Sequence, residues 1–404
     1  MKPLSWRFLL LVALVALVPI LILGDAEAAR RSGLAGNLLI RDADDMFIYP
    51  QHNVTYVNRL IVDMGSSAGV GNGSLVFGEE DSWGLNFSTH RSDFLNGVVA
   101  GYWGGNDRGL FGPPPPGAAL SFSPDLTGPS DPTQGPHDVQ WFDVGFGWGS
   151  ETPIGFRVGI GMDADALTIP PSPEIQNGAN VFSIQGGASL NESTDLTAEI
   201  SIGSSEADSL EGSVTQFAAG IRGFYEMADF EWGYLGALAY ATDEADSTTA
   251  EKRENTITQF LAGWGPVWND ESEDWQVAGY VTLEFQKHEL DLTGPAKVNE
   301  RFITFPGFRF AGEHRLKSWL WVRGGVRSDY FFHKLESEAI NAEGSNRIYD
   351  FQWTAGFSAD WNSFRFDGAI NEPWVHTGSF LGQQNEDLLA FASVTYNWGG
   401  AEAE

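Results

Sequence analysis

Trp275-Gln276-Val277-Ala278-Gly279-Tyr280-Val281-Thr282-Leu283-Glu284-Phe285-Gln286-Lys287 is the stretch that decides the fold. Every second residue gives Trp275, Val277, Gly279, Val281, Leu283 and Phe285 on one side, with Gln276, Ala278, Tyr280, Thr282, Glu284 and Gln286 on the other. Successive side chains alternate across a pleated strand, so this is a strand with one apolar and one polar face. Strands of globular proteins run about 5–6 residues, whereas a strand tilted across a bilayer needs roughly 9–11. The stretch is long enough to span.

The same alternation recurs along the chain. Strands are expected at 58–65, 73–79, 82–90, 137–148, 154–163, 180–190, 194–203, 214–226, 230–241, 254–266, 275–288, 299–311, 318–330, 348–361, 363–371 and 387–398. After the third, long connections (91–136, 164–179, 204–213, 242–253, 289–298, 332–347) alternate with short ones (149–153, 191–193, 227–229, 267–274, 312–317, Asn362). A soluble sandwich or β-helix has no reason to sort its loops in this way, but a membrane barrel sorts them to its two rims. The fold expected is therefore all-β: a transmembrane antiparallel up-and-down barrel of about sixteen strands, within a range of 14–18.

Targeting and composition agree with export. Lys2 and Arg7 precede an apolar run, Phe8 to Leu23, and then Ala26-Glu27-Ala28, a small-x-small site; residues 1–28 read as a secretory signal peptide. Its removal takes two bases and two acids and leaves the net charge at −31. That charge argues against a nucleic-acid partner. With no cysteine, neither disulfides nor thiolate metal sites are available. Glycine, at 48 of 404 residues, is nearly twice the usual ~7%, and mean hydropathy is −0.18. A barrel combines these traits, because lipid meets only half of each strand.

The organisation expected is a signal peptide (1–28), an N-terminal periplasmic or lumenal arm (29–57), a barrel (58–398) and a C-terminal tail (399–404). The arm does not alternate. Its Arg41-Asp42-Ala43-Asp44-Asp45 run lacks the Gly and the terminal Glu of an EF-hand loop. Segment 91–136 contains Phe111-Gly112-Pro113-Pro114-Pro115-Pro116-Gly117, which predicts a stiff extended middle. Either segment could occlude a lumen. Trp148, Tyr225, Trp264, Trp275, Trp361 and Trp398 fall at the short-turn ends of their strands and are expected to form an aromatic girdle at the headgroup level.

These features resemble the outer-membrane β-barrel channels of Gram-negative bacteria, the porins and related transporters. The last strand, with Val394, Tyr396 and Trp398 on one face, resembles the C-terminal assembly signal of that class, although Gly399-Gly400-Ala401-Glu402-Ala403-Glu404 follows it. The resemblance implies export through the general secretory pathway, residence in the outer membrane, and contact with the barrel-assembly machinery, outer-membrane lipid and lipopolysaccharide. It also carries the homotrimer common among general porins, which no residue here establishes.

Strand parity predicts the lumen-lining side chains. Arg157, Arg222, Arg323, Arg327 and Arg365 fall on the polar parity with Asp195, Glu199, Glu284 and Asp350, because an Arg facing lipid near the midplane costs ~2–4 kcal/mol. Trp319 and Trp321 fall on the parity of Arg323. Pro306 threatens the parity of Arg301 and Arg309. These charges either pair with one another and with water across the lumen and only stabilise the wall, or set bases on strands 299–330 and 363–371 against acids on 194–203 to select solutes.

No HExxH, GxSxG, P-loop or CxxC pattern occurs, the seven His residues are scattered, and no catalytic residue, metal ligand or cofactor is implied. The function expected is not enzymatic: a channel for passive diffusion of small hydrophilic solutes. The alternatives are a plugged transporter of hydrophobic compounds and a non-conducting surface-binding or structural barrel.

Overall fold

A computed structural model describes residue 30 and residues 34–65, 71–89, 140–167, 175–207, 210–247, 253–270, 272, 274–292, 296–337, 342–370 and 389–398. The signal peptide, all of segment 91–136 and the tail 399–404 lie outside the described residues. Two short turns of helix, α1 (Asp45–Ile48) and a 3-10 turn (Pro50–Val54), precede sixteen strands. These are β1 (Arg59–Gly65), β2 (Gly71–Glu79), β3 (Trp83–Thr89), β4 (Gln140–Trp148), β5 (Ile154–Leu167), β6 (Ile175–Asn191), β7 (Thr194–Ala207) and β8 (Leu210–Met227), then β9 (Phe230–Ser247), β10 (Arg253–Asn269), β11 (Trp275–Leu292), β12 (Ala296–Lys317), β13 (Leu320–Ser337), β14 (Ala342–Trp361), β15 (Phe364–Ile370) and β16 (Leu389–Asn397).

Each strand pairs antiparallel with its neighbours in sequence, and β1 pairs with β16 from Arg59↔Asn397 to Gly65↔Phe391. The sheet is thus a closed sixteen-strand barrel with no free edge, the one β-architecture that satisfies every backbone group within lipid. No helix among the described residues is long and apolar enough to cross a membrane. All sixteen expected strands are present, but the long connections after β5, β7, β9, β11 and β13 are much shorter than expected. β9 runs to Ser247 and β13 to Ser337, so most of each supposed loop continues the ladder.

Side-chain direction follows the alternation. Phe142, Phe156, Ile184, Ile202, Phe217, Phe260 and Phe310 are exposed on the outer face, while Asp143, Arg157, Ser183, Ser201 and Gln216 on the same strands point inward and are buried. An apolar surface this extensive is tolerated only against lipid. Around Pro306 the register slips between Thr282 and Glu284 in one ladder and between Thr304 and Gly307 in the next. Parity therefore changes along β12: Phe302 and Thr304 point inward before the bulge, and Arg309, Ala311 and Glu313 do so after it. Arg301 consequently faces outward and Arg309 inward.

Closed pairing makes the barrel resistant to detergent until it is heated. Unboiled samples are expected to run at a different gel mobility from boiled ones, and equal mobility would contradict the fold.

Candidate functional site: the plugged end of the barrel

Residues 34–57 fold back inside the end of the barrel where the short turns lie. The turn structure is local. Asn37 Oδ1 accepts the Leu39 N–H (3.0 Å), Asp42 Oδ1 accepts the Asp44 N–H (2.9 Å), and Asp45 Oδ2 accepts the Asp42 N–H (3.3 Å). The acidic run therefore shapes a turn. Asn58, at φ 54°, swings the chain from this segment into β1, a conformation that Asn tolerates better than most residues. Its Nδ2 donates to the Gly78 carbonyl at 3.1 Å.

The wall is cut to receive this segment. Inward-facing Gly84, Gly145, Gly147, Gly155 and Gly187 lie on four adjacent strands beneath Pro50–Asn53. A Cβ at Gly84 would collide with the Asn53 carbonyl, and one at Gly155 with the Pro50–Gln51 backbone. Across the barrel, a Cβ at Gly233 would meet the Leu39 side chain at 2.8 Å, and one at Gly325 would meet Leu34 and Ala35 at 2.8 Å. Asn37 Nδ2 donates to the Ala278 carbonyl at 3.1 Å. The segment thus bridges the mouth from β3–β6 to β11–β13.

Packing completes the seal. Leu34, Leu38, Leu39, Ile40, Ile48 and Tyr49 join Leu235, Ala237, Leu261, Val267, Ala278 and Ala311 of the wall in one buried apolar cluster. Met46 and Phe47 pack with Ile61 and Val76 in a second. Truncating a fully buried residue such as Leu39 to Ala typically costs ~2–5 kcal/mol, so this contact is strong enough to be resident.

The charges of the wall hold the plug or one another. Arg157 donates to the Met46 carbonyl (2.8 Å) and the Phe47 carbonyl (3.1 Å), with its guanidinium over the Phe47 ring. Arg222 reaches Asp45 of the plug (2.9 Å), Asp195 of the wall (3.3 Å) and the Leu38 carbonyl (3.2 Å), and covers the Tyr49 ring. Asp195 also accepts from Ser189 (2.8 Å) and lies 2.9 Å from His52 Nε2. Arg30 meets Glu313 at 2.5 Å and Asp42 at 3.5 Å. Burial opposes its charge, but the two carboxylates outweigh burial and keep its pKa above the ordinary guanidinium value. Burial, together with Asp45 and Asp42, pushes the Tyr56 phenol up.

On the other side, Arg323 pairs with Asp367 (2.8 Å), Arg365 with the same acid (3.3 Å), and Arg327 with Asp329 (2.6 Å). Arg309 bridges Asp329 (2.5 Å) and Glu284 (3.2 Å). Glu199 is buried and accepts from Ser201 at 3.3 Å. Asp350 is half-buried, opposite Asp329 in the register. The bases of β12, β13 and β15 thus pair with acids on their own strand or one to two strands away, on the same side of the barrel, and not with Asp195 or Glu199 across the lumen. Parity alone could not reveal this, because it assigns a face and not a partner.

Of the aromatic residues at the short-turn ends, Trp148, Tyr225, Trp264, Trp275 and Trp361 are exposed on the outer face. Trp398 is half-buried against Phe77 and Tyr396. Trp83 and Trp319 are also exposed there. Trp319 lies in the turn after β12 and does not share the Arg323 face; Trp321 does, donating to Asp360 at 3.2 Å. The functional residues that sequence reasoning missed are Gln51, Asp45 and the inward glycines. A run of Gly at the short-turn end of the polar parity was the signal that could have found them.

Closed sheet, lipid-facing belt and internal plug together define a transmembrane β-barrel of the outer-membrane type. No protein-family model and no curated protein sequence matches the chain. Among solved structures it is similar to the ferric yersiniabactin uptake receptor FyuA of Yersinia pestis, at 10% identity and a TM-score of 0.36, covering 77% of this chain and 53% of that one. It is similar to the alcaligin outer-membrane receptor FauA of Bordetella pertussis, at 7% identity and a TM-score of 0.37, covering 85% and 65%. It is also similar to CdiB of Escherichia coli, at 12% identity and a TM-score of 0.36, covering 84% and 62%. The chain spans less than two thirds of the length of each.

Proposed function

We propose that this chain is an outer-membrane transport barrel for small hydrophilic solutes whose periplasmic mouth is closed at rest by residues 34–57. Solute then crosses only when the plug shifts. The observation that carries this reading is the set of inward glycines on β3–β6, which bring the wall backbone against Pro50–Asn53 and leave no room for an open mouth there. An always-open diffusion channel needs that space. Water-accessible groups of the inner wall lie on β11–β15, where the Glu284, Arg327 and Arg365 side chains are 22%, 12% and 30% exposed, Asp350 is half-buried and Gln352 is exposed. A polar solute would meet these groups on its way through, which supports the transport reading.

A second reading keeps the plug and changes the cargo. Leu235, Ala237, Ala239, Ala241, Ile257 and Leu261 make β9 and β10 apolar on their inward face, which favours a hydrophobic passenger. Liposome flux separates the two. Deleting 34–57 is expected to admit small sugars and ions that the intact protein excludes, whereas entry of apolar compounds alone would favour the second reading. Equal solute flux through intact and deleted protein would overturn the plug.

The orientation follows from the sorted turns. A single cysteine at residue 247 is expected to be labelled on intact cells and one at residue 228 only after the outer membrane is opened. The reverse result would invert the topology. Because the chain has no cysteine of its own, the signal carries no background.

A further inference from the structure

We infer that a row of bases on the outer wall of β11–β14 is a binding site for the phosphate groups of an outer-leaflet lipid of the lipopolysaccharide type. The inference rests on the outer-membrane reading above. Lys287, Arg301 and Lys334 are direct cross-strand neighbours in the ladder, Lys287↔Arg301 and Arg301↔Lys334. Arg347 joins them from β14, paired with Phe332 and set over its ring at 5.7 Å. All four lie on the outward parity. Neighbouring strands are ~4.8 Å apart, so the four heads form one compact cationic surface. In a chain of net charge −31 with only 23 bases, such a row does not arise from composition.

Its height is that of a headgroup. Phe285, Ile303 and Phe332 form the row immediately below Lys287, Arg301 and Lys334, also paired in register and continued by Arg347 on β14, and they end the apolar belt. Lys287 lies twelve residues beyond Trp275 on β11. At ~3.3 Å per residue and a tilt near 40°, that places it roughly 30 Å above the short-turn girdle, one hydrocarbon thickness away. The bases therefore sit where the hydrocarbon ends on the long-loop side.

The row is partly uncommitted. Lys287 pairs with Glu289 (2.7 Å), and Lys334 with Glu336 (2.5 Å) and Glu343 (2.9 Å), all on the loop side. Exposed pairs of this kind hold weakly. Arg301 and Arg347 are exposed and make no ion pair within 4 Å among the described residues. Across β11–β14 the two guanidiniums alternate with the two ammoniums, an arrangement suited to a phosphate with two or more negative oxygens, because the guanidinium fork matches that geometry.

The test uses full-length protein in phosphatidylcholine nanodiscs, with or without a bis-phosphorylated glycolipid, read by native mass spectrometry. R301Q/R347Q is expected to weaken glycolipid retention roughly tenfold or more, at about fivefold per base. R315Q/K317Q, the same charge change at the opposite rim, is expected to leave retention unchanged. The dephosphorylated glycolipid should be retained weakly by all three proteins. Equal loss in both double variants, or no loss in R301Q/R347Q, would overturn the site. Displacement by inorganic phosphate at equal concentration would show that the row takes soluble phosphate and would overturn the lipid assignment. Heat-modifiable mobility of each variant reports the barrel separately, and its absence in the parent protein would sink the membrane reading and this one with it.

Discussion

Arg222→Met is expected to loosen the plug more than any other single change in the wall. Arg222 is buried, and it is the cation shared by Asp45 of the plug and Asp195 of the wall, at 2.9 and 3.3 Å. Methionine keeps the length and the apolar stem but leaves both carboxylates without that partner. Removing one member of a buried pair costs about 3–5 kcal/mol because the charge left behind is uncompensated. The displaced fraction of plug should therefore rise by about two to four orders of magnitude. A cysteine placed at residue 51 should then react with a membrane-impermeant thiol reagent from the short-turn side at a correspondingly higher rate. Adding D45N and D195N to R222M removes the stranded charges and should recover part of the protection. If the triple variant reacted as fast as R222M, the electrostatic account of the latch would be wrong.

Gly155→Val tests the fit of the wall and is independent of charge. A Cβ at this position collides with the Pro50–Gln51 backbone and not with the end of a flexible side chain, so the obstruction cannot rotate away. Overpacking of this kind costs about 1–3 kcal/mol, equivalent to roughly 5–150-fold in the population of displaced plug. The barrel itself should be spared, since Gly155 keeps its ladder partners Gly147 and Gly187 through backbone hydrogen bonds. Gly186→Val is the control. Its Cβ meets nothing within 4 Å, and Gly186 is exposed on the outer parity of β6. Opening by G155V but not by G186V is the expected pattern. Equal behaviour of the two would mean that the close approach at Gly155 does not hold the mouth shut.

How much of this was legible in the sequence differs by level. The sixteen strands were readable because lipid imposes a strict period of two over the membrane-spanning part. Their upper ends were not. Glu206 opposite Glu211, or Glu336 opposite Glu343, lies in a paired ladder with both faces polar, so alternation vanishes although the hydrogen bonding continues. The supposed long loops from 164–179 onward were for that reason mostly strand. The plug was readable only as a segment that did not alternate. What it touches is set by residues a hundred or more positions away, such as Arg157 on the Met46 and Phe47 carbonyls, and no local pattern encodes that. Strand parity gave the face of each arginine. The partner depended on register, and at Pro306 on a bulge that moves Arg301 and Arg309 to opposite sides of the wall.

Single-channel recording of a crosslinked plug tests the central claim most directly. A Cβ at Gly233 would lie 2.8–3.3 Å from the outer atoms of Leu39, so L39C/G233C places two thiols near disulfide range. The intact protein and the oxidised variant are both expected to be silent in a planar bilayer, and the protein lacking residues 34–57 is expected to show stable ohmic steps. Steady conductance from the intact chain, persisting after the crosslink has formed, would contradict a barrel closed by its own N-terminal segment.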